Sequence, residues 1–202
     1  MTADTSLAAT ELARLHIPAD AARLARPLTL RDGREVTVRP IRPDDSERIR
    51  SLHARLSVDA IVFRFFRPVP ELSDEMVEHL TRVDYENRMA LVATTGEGVE
   101  EQVVGVVRYE RIGAETAEVA FVVEDAWQGV GISTTLLYML ANYARPRGFT
   151  KFVAITMGSN IRMLDVLRHC GYPFTRKFID GEVEVALDIT QQPRPAYATN
   201  PA

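Results

Sequence analysis

The chain has 202 residues, 46% hydrophobic and 26% charged, with a formal net charge of -4. That length suits one folded domain with short extensions, and the acidic balance argues against a nucleic-acid binder that works through a general basic field. A single cysteine excludes an intramolecular disulfide framework and fits a reducing, cytoplasmic setting, while no run approaches the ~18 apolar residues of a membrane helix.

Taken in chain order, residues 1–26 are rich in Ala, Leu and Arg and read as an N-terminal extension with one or two short helices. The folded domain is expected over 27–190, and a Pro-rich flexible tail over 191–202. Glu35 to Arg39 reads as a strand. Pro43-Asp-Asp45 opens a helix with Ile49, Leu52 and Leu56 at helical spacing, and Ser57 starts a second helical piece that ends near Phe66. Ser73 is a cap for a third helix reaching about Val83. Ala90 to Thr94 and Val103 to Glu110 supply strands joined by the Gly96-Glu-Gly98 turn.

Val119 to Val123 is dense in β-branched and aromatic residues, Glu124-Asp125 breaks the run, and Gly129 and Gly131 precede an amphipathic helix from Ile132 to Ala144. Its apolar stripe is Ile132, Leu136, Met139, Leu140 and Tyr143. After Arg145-Pro-Arg-Gly148 comes a strand around Phe152 to Ile155. A last helix carries Met163, Val166, Leu167 and Cys170 and closes at Gly171-Tyr172. The order predicts a mixed sheet with helices between its strands.

The strand, glycine turn and helix around Gly131 form a natural anion site. The first amides of a helix lack intrahelical partners and sit at the positive end of its dipole, and glycines let a ligand approach the backbone. A Walker loop would need Lys-Ser or Lys-Thr after its last glycine, and a dinucleotide fingerprint would need a third glycine; neither is present. His16, His53, His79 and His169 show no metal-ligand spacing with one another or with Cys170, so no metal is expected.

The stretch Gln128-Gly129-Val130-Gly131-Ile132-Ser133 resembles the acyl-CoA-binding motif of the GNAT superfamily of N-acetyltransferases, Gln/Arg-x-x-Gly-x-Gly/Ala, with Ser133 standing at the last small position. Asn160, Met163 and Gly171-Tyr172 resemble the downstream Asn-x-x-Met and Gly-Phe/Tyr element of the same superfamily. Leu30 to Asp45, Arg64-Phe-Phe-Arg67, Asp84-Tyr85 and Ala117-Glu-Val-Ala120 are similar to the bacterial Pat-type protein-lysine acetyltransferase branch. The resemblance implies an α+β GNAT fold: a mixed, largely antiparallel sheet flanked by helices, with acyl-CoA bound at a splay between central strands.

The resemblance further implies acetyl-CoA as co-substrate and a primary amine as acceptor, most naturally a protein lysine. A small-molecule amine of the amino-acid, polyamine or aminoglycoside kind is the alternative, and a non-catalytic CoA-binding module is the third reading. No nucleic acid or membrane is expected as partner, and a homodimer is left open. Glu118 matches the catalytic glutamate of the Pat-type branch, and partial burial is expected to raise its pKa toward the operating range of a general base. The amide of Val122 or Val123 is expected to serve the oxyanion. The loop residues Gln128 to Ser133, with Asn160 and Met163, are expected to hold the CoA arm. Arg64, Phe65, Asp84 and Tyr85 are expected on the acceptor side. Trp127 is read either as packing under the CoA or as a structural anchor, and Cys170 and Tyr172 as packing residues.

Overall fold

The structure is a computed structural model that describes residues 17–194. Most of the expected N-terminal helices, His16 and most of the expected tail lie outside the described residues. Eight strands form one sheet in the order β1 (Arg26–Thr29), β2 (Glu35–Pro40), β3 (Arg88–Thr95), β4 (Gln102–Arg111), β5 (Thr116–Val123), β6 (Lys151–Met157), β8 (Glu182–Asp188) and β7 (Phe174–Ile179). Every neighbouring pair is antiparallel except β5 with β6. The expected mixed and largely antiparallel sheet is therefore present.

The helices divide between the two faces. A short α1 (Ala19–Ala22) and the long α5 (Ile132–Ala144) pack on one face with α6 (Ile161–His169), against Val38, Leu91, Val107, Val119, Phe121 and Leu187. On the other face lie α2 (Ser46–Arg55), α3 (Val58–Phe65) and α4 (Asp74–Thr81), over Ile41, Val92, Val103 and Val106. Strands β3 and β4 are buried on both faces, which explains why their sequences run almost continuously apolar instead of alternating.

Local chemistry sets the helix boundaries close to where the residue pattern puts them. Ser57 Oγ accepts the amide of Ala60 at 3.3 Å and Ser73 Oγ that of Met76 at 3.2 Å, so each serine caps its helix. Helix α3 stops at Phe66, whose left-handed φ of 58° turns the chain away. The α2 side is pinned by an internal ion pair. Arg39 donates to both carboxylate oxygens of the fully buried Asp45 at 2.7 Å and to Glu101 at 2.9 and 3.0 Å. Two parallel bonds satisfy a charge that burial would otherwise make costly.

One close approach fixes the start of α5. A Cβ on Gly105 of β4 would stand 3.0 Å from Ile132 Cγ2 and 3.3 Å from Val123 Cγ2, so the bare backbone there lets the helix N-terminus sit down on the sheet.

Candidate active site

The parallel ladder between β5 and β6 is short. It holds only Thr116 with Lys151, Ala117 with Phe152 and Glu118 with Val153, although β5 runs on to Val123 and β6 to Met157. Beyond Glu118 the two strands part, and a cleft of about 1150 Å³ occupies the gap. Its walls come from the ends of β5 and β6, the loop 127–131, the first turns of α5, the first turns of α6, and α3.

Backbone polarity in the gap follows from the antiparallel ladder on the far side of β5. Glu124 donates its amide to Val104 O at 2.9 Å, and Val106 faces Val122 two positions back. Because hydrogen-bonded and non-hydrogen-bonded pairs alternate, even-numbered residues of β5 turn their amides to β4, and the amides of Phe121 and Val123 face the gap. Of the two residues expected to serve an oxyanion, Val123 is therefore the one with its amide in the cleft; Val122 contributes side chain only.

The glycine turn is built as an anion cradle. Gly129 and Gly131 have φ of 78° and 101°, in the region that favours glycine. Gly131 occupies the N-cap of α5, where no side chain caps the helix, so the first amides of a thirteen-residue helix face the cleft. The hairpin between β1 and β2 closes over this turn. Arg31 accompanies Gly131 so closely that a Cβ there would meet its Nε at 3.5 Å, and the Arg31 amide donates to Val130 O at 3.2 Å. Arg34 lies 4.1 Å over the Trp127 ring and bonds Ala126 O, which makes half-buried Trp127 an anchor of the hairpin as well as a wall of the cleft.

Other motif residues reach the cleft with defined jobs. Gln128 does not point freely at a ligand: its amide donates to Val123 O at 3.0 Å and its oxygen accepts from Arg162. Asn160 caps α6 through its side-chain oxygen, which takes the Met163 amide at 3.2 Å. Val130, Ile132, Ser133 and Met163 line the same space.

Glu118 is the last residue of β5 that pairs with β6, and it stands at the floor of the opening with Arg64 of α3 as its electrostatic neighbour. The expected partial burial is not met. Glu118 is exposed: its side chain projects from the face of the sheet at the last paired position, into the open cleft.

On the acceptor side the expected set separates. Arg64 lines the cleft, together with Ala60, Phe63 and Phe66. Phe65 instead faces inward, edge-on to His53 at 5.8 Å, beside a second, much smaller cavity. Asp84 and Tyr85 are absent from the cleft lining. Asp84 accepts the amides of Glu86, Asn87 and Arg88 at 2.8 to 2.9 Å, and the hydroxyl of buried Tyr85 donates to Ile41 O at 2.9 Å. These two residues build a turn, which corrects their placement near an entering amine.

Three features had no counterpart in the motif reading. Tyr138 of α5 lines the cleft, and its buried hydroxyl has no hydrogen-bond partner among the described residues; burial pushes the phenol up to about 12. Thr156 of β6 likewise presents a buried, unpartnered hydroxyl to the gap. The third is a tie between walls: Asp125, just before the glycine turn, binds the start of α3, and Arg55 pairs with Glu124 at 3.0 Å. Tyr138 stands off the apolar stripe of its helix, which is the signal that marks it. Tyr172 packs edge-on against Tyr138 at 5.9 Å, and Cys170 is buried with its thiol bonded to Leu167 O, as expected of packing residues.

Cradle amides, unpaired strand amides and orphaned hydroxyls in one elongated cleft fit a ligand with phosphates at one end and an amide-rich arm at the other. No group of His, Cys, Asp and Glu among the described residues could hold a metal ion, and no described helix is long and apolar enough to cross a membrane.

Comparison with known proteins agrees with this geometry. Residues 35–173 match the acetyltransferase (GNAT) domain family, and the chain belongs to it. It is an N-acyltransferase, and members of the family use acetyl-CoA. Among relatives, an acetyltransferase of Pseudomonas aeruginosa is 34% identical over 145 residues, 71% of this chain and 78% of that protein. Acetyltransferase Pat of Mycolicibacterium smegmatis is 30% identical over 190 residues, 87% of this chain but only 56% of that protein. The crystal structure of the GNAT domain of S. lividans PAT superposes with a TM-score of 0.77 at 38% identity, covering 85% of this chain and 98% of that one.

Proposed function

We propose that the protein transfers an acetyl group from acetyl-CoA to the side-chain amine of a lysine in another protein, by direct attack of the amine on the thioester, with Glu118 as general base. The observation that carries this reading is the position of Glu118, the last paired residue before β5 and β6 part, exposed at the floor of the cleft. The likeness to Pat and to the PAT GNAT domain supports a protein acceptor.

The chemistry sets the requirement. An amine with a pKa near 10.4 is neutral in only about one molecule in a few thousand at pH 7, and only that form attacks a thioester. Acetyl-CoA, when bound, supplies the electrophilic carbonyl and a thiolate leaving group. Glu118 accepts the ammonium proton, directly or through one water, as the nitrogen commits to the carbonyl. The amide of Val123 donates to the oxygen on which negative charge develops. The loop from Gln128 to Ser133 and the start of α5 hold the phosphates, Asn160 and Met163 line the path of the arm, and Arg64 stands on the acceptor side. A thiolate of pKa about 8.5, if it resembles that of cysteine, departs without needing a strong acid.

Glu118→Gln tests the assignment. It should lower kcat about 100- to 10,000-fold, as loss of a general base does. The affinity for acetyl-CoA, measured by calorimetry, should not change. Undiminished thiol release by this variant with a protein acceptor would refute the assignment.

A further inference from the structure

Two guanidinium groups converge beside the acceptor end of the cleft, with Glu118 and Glu110 near enough to be felt electrostatically but with no close ion pair among the described residues. Arg64 reaches it from α3, and Arg108 rises from β4 opposite Ala120, on the face of the sheet that also carries Glu118, Ala120 and Val122. Arg108 is 5% exposed and bonds only the carbonyls of Leu80 and His79, at 3.3 and 3.4 Å. Arg64 has the Phe65 ring 5.1 Å away and no hydrogen bond among the described residues. Among those residues neither guanidinium has a carboxylate within 4.0 Å, whereas Arg39, Arg48, Arg50 and Arg55 all have one.

Buried charge of this kind is ordinarily paired. Burial, with the neighbouring charges of Arg64 and Arg88, lowers Arg108 to about 9 against the opposing charge of Glu110. The small cavity of about 40 Å³ beside Arg108 is lined mainly by apolar side chains such as Ile49, Leu52, Leu72 and Val106, and it shares Arg64, Ala120 and Val122 with the main cleft, so the open side of Arg64 is the cleft itself. Ala120 lies two residues beyond Glu118 on the same face, about 7 Å along the strand.

We propose that Arg64, backed by Arg108, selects acceptors carrying a carboxylate or similar anionic group close to the reacting amine. This deepens the reading given above and rests on it. The anionic group is either an acidic side chain near the target lysine of a protein or the α-carboxylate of a free amino acid. In both cases a guanidinium at the rim draws the anion in, and the same charge disfavours polycations such as polyamines. Arg64 is a specificity residue in this scheme and takes no part in proton transfer.

Product binding to the CoA-loaded protein provides the test and requires no turnover. The probes are one peptide with a central acetyl-lysine and Asp, Asn or Lys two residues away, together with acetyl-lysine bearing a free or an amidated α-carboxylate. The Asp peptide or the free carboxylate should bind about 5- to 10-fold tighter than its neutral partner, the range expected of a charge-assisted contact. Which pair discriminates identifies the source of the anion. Arg64→Gln should erase the difference and Arg64→Lys should keep part of it. Equal affinities within both pairs, including none measurable, overturn the proposal, as does discrimination that survives in Arg64→Gln. Charge discrimination without catalysis towards any amine would instead count against the acetyltransfer reading alone.

Discussion

Asp125 holds Ser57 by both of its carboxylate oxygens, one taking the Ser57 amide at 3.0 Å and the other its hydroxyl at 2.8 Å. Ser57 is the N-cap of α3, and Asp125 begins the turn that leads into the glycine loop. The helix that carries Arg64 is thus fastened to the segment that shapes the phosphate end of the cleft. Asp125→Ala should raise KM for the acceptor several-fold while changing that for acetyl-CoA little. It should cost about 1 kcal/mol of stability, as the loss of an exposed side-chain hydrogen bond does. Steady-state kinetics with each substrate varied in turn, and a urea titration, measure both.

Gly131→Ala places a side chain at φ 101°, outside what an L-residue adopts without strain. The expected cost is about 1 to 3 kcal/mol. The added methyl meets Arg31 only at ordinary van der Waals distance, but it stands at the mouth of the anion cradle, so acetyl-CoA affinity should fall more than stability does. Gly129→Ala has open space around its Cβ but a φ of 78°, so it should share the strain without that contact. Calorimetric titration of both variants against acetyl-CoA separates the two effects.

Tyr138→Phe removes a buried hydroxyl that has no partner among the described residues. The ligand-free variant should be as stable as the parent or about 1 kcal/mol more stable, because an unmet polar group no longer has to be buried. If the hydroxyl meets the co-substrate, acetyl-CoA should bind about tenfold more weakly, the loss of roughly one hydrogen bond. With its pKa held up at about 12, the phenol is a neutral donor throughout the working range, so the effect should not vary between pH 6 and pH 9. Melting curves with and without acetyl-CoA report both parts.

Arg39→Met leaves the buried Asp45 with only the longer contact to Arg48 at 3.4 Å and the Arg42 amide at 2.8 Å, and should cost about 3 kcal/mol. The Glu101 end of the same network governs acid behaviour. Burial works against the Glu101 charge, but the hydrogen bond and charge of Arg39, with Arg48 beside it, outweigh that and hold the carboxyl below its usual range. A carboxyl depressed on folding stabilises the protein above its unfolded pKa, near 4.5, and that stability is lost as pH falls through the folded value. Glu101→Gln should therefore lower stability at pH 7 and flatten the acid limb of the stability curve below about pH 5. Unfolding titrations from pH 7 to pH 3 show the slope directly.

The helices and glycine turns were legible in the sequence because their signals are local. Ser57 and Ser73 cap where a serine before an apolar run should, and the stripe from Ile132 to Tyr143 gives α5 its full length. What lay beyond reach depended on distant partners. Strand alternation puts Glu118, Ala120 and Val122 on one face, yet whether Glu118 is covered depends on how far α3 reaches over that face, and nothing in the residues of β5 encodes that. Asp84 and Tyr85 carry groups that suit an acceptor site, but their bonds go to the turn they belong to and to Ile41. The Asp125 to Ser57 tie spans 68 positions, and the convergence of Arg64 with Arg108 needs the register of β4 against β5.

The three-rung ladder between β5 and β6 has a mechanical consequence. Strands β1 to β5 and β6 to β8 meet along one short seam beneath a shared core, with the amides of Phe121 and Val123 left over on its open side. A co-substrate arm lying along those amides would act as the missing length of strand. Loading should therefore stiffen the whole molecule, and amide exchange should slow on both sides of the seam, as far from the phosphates as Ile155.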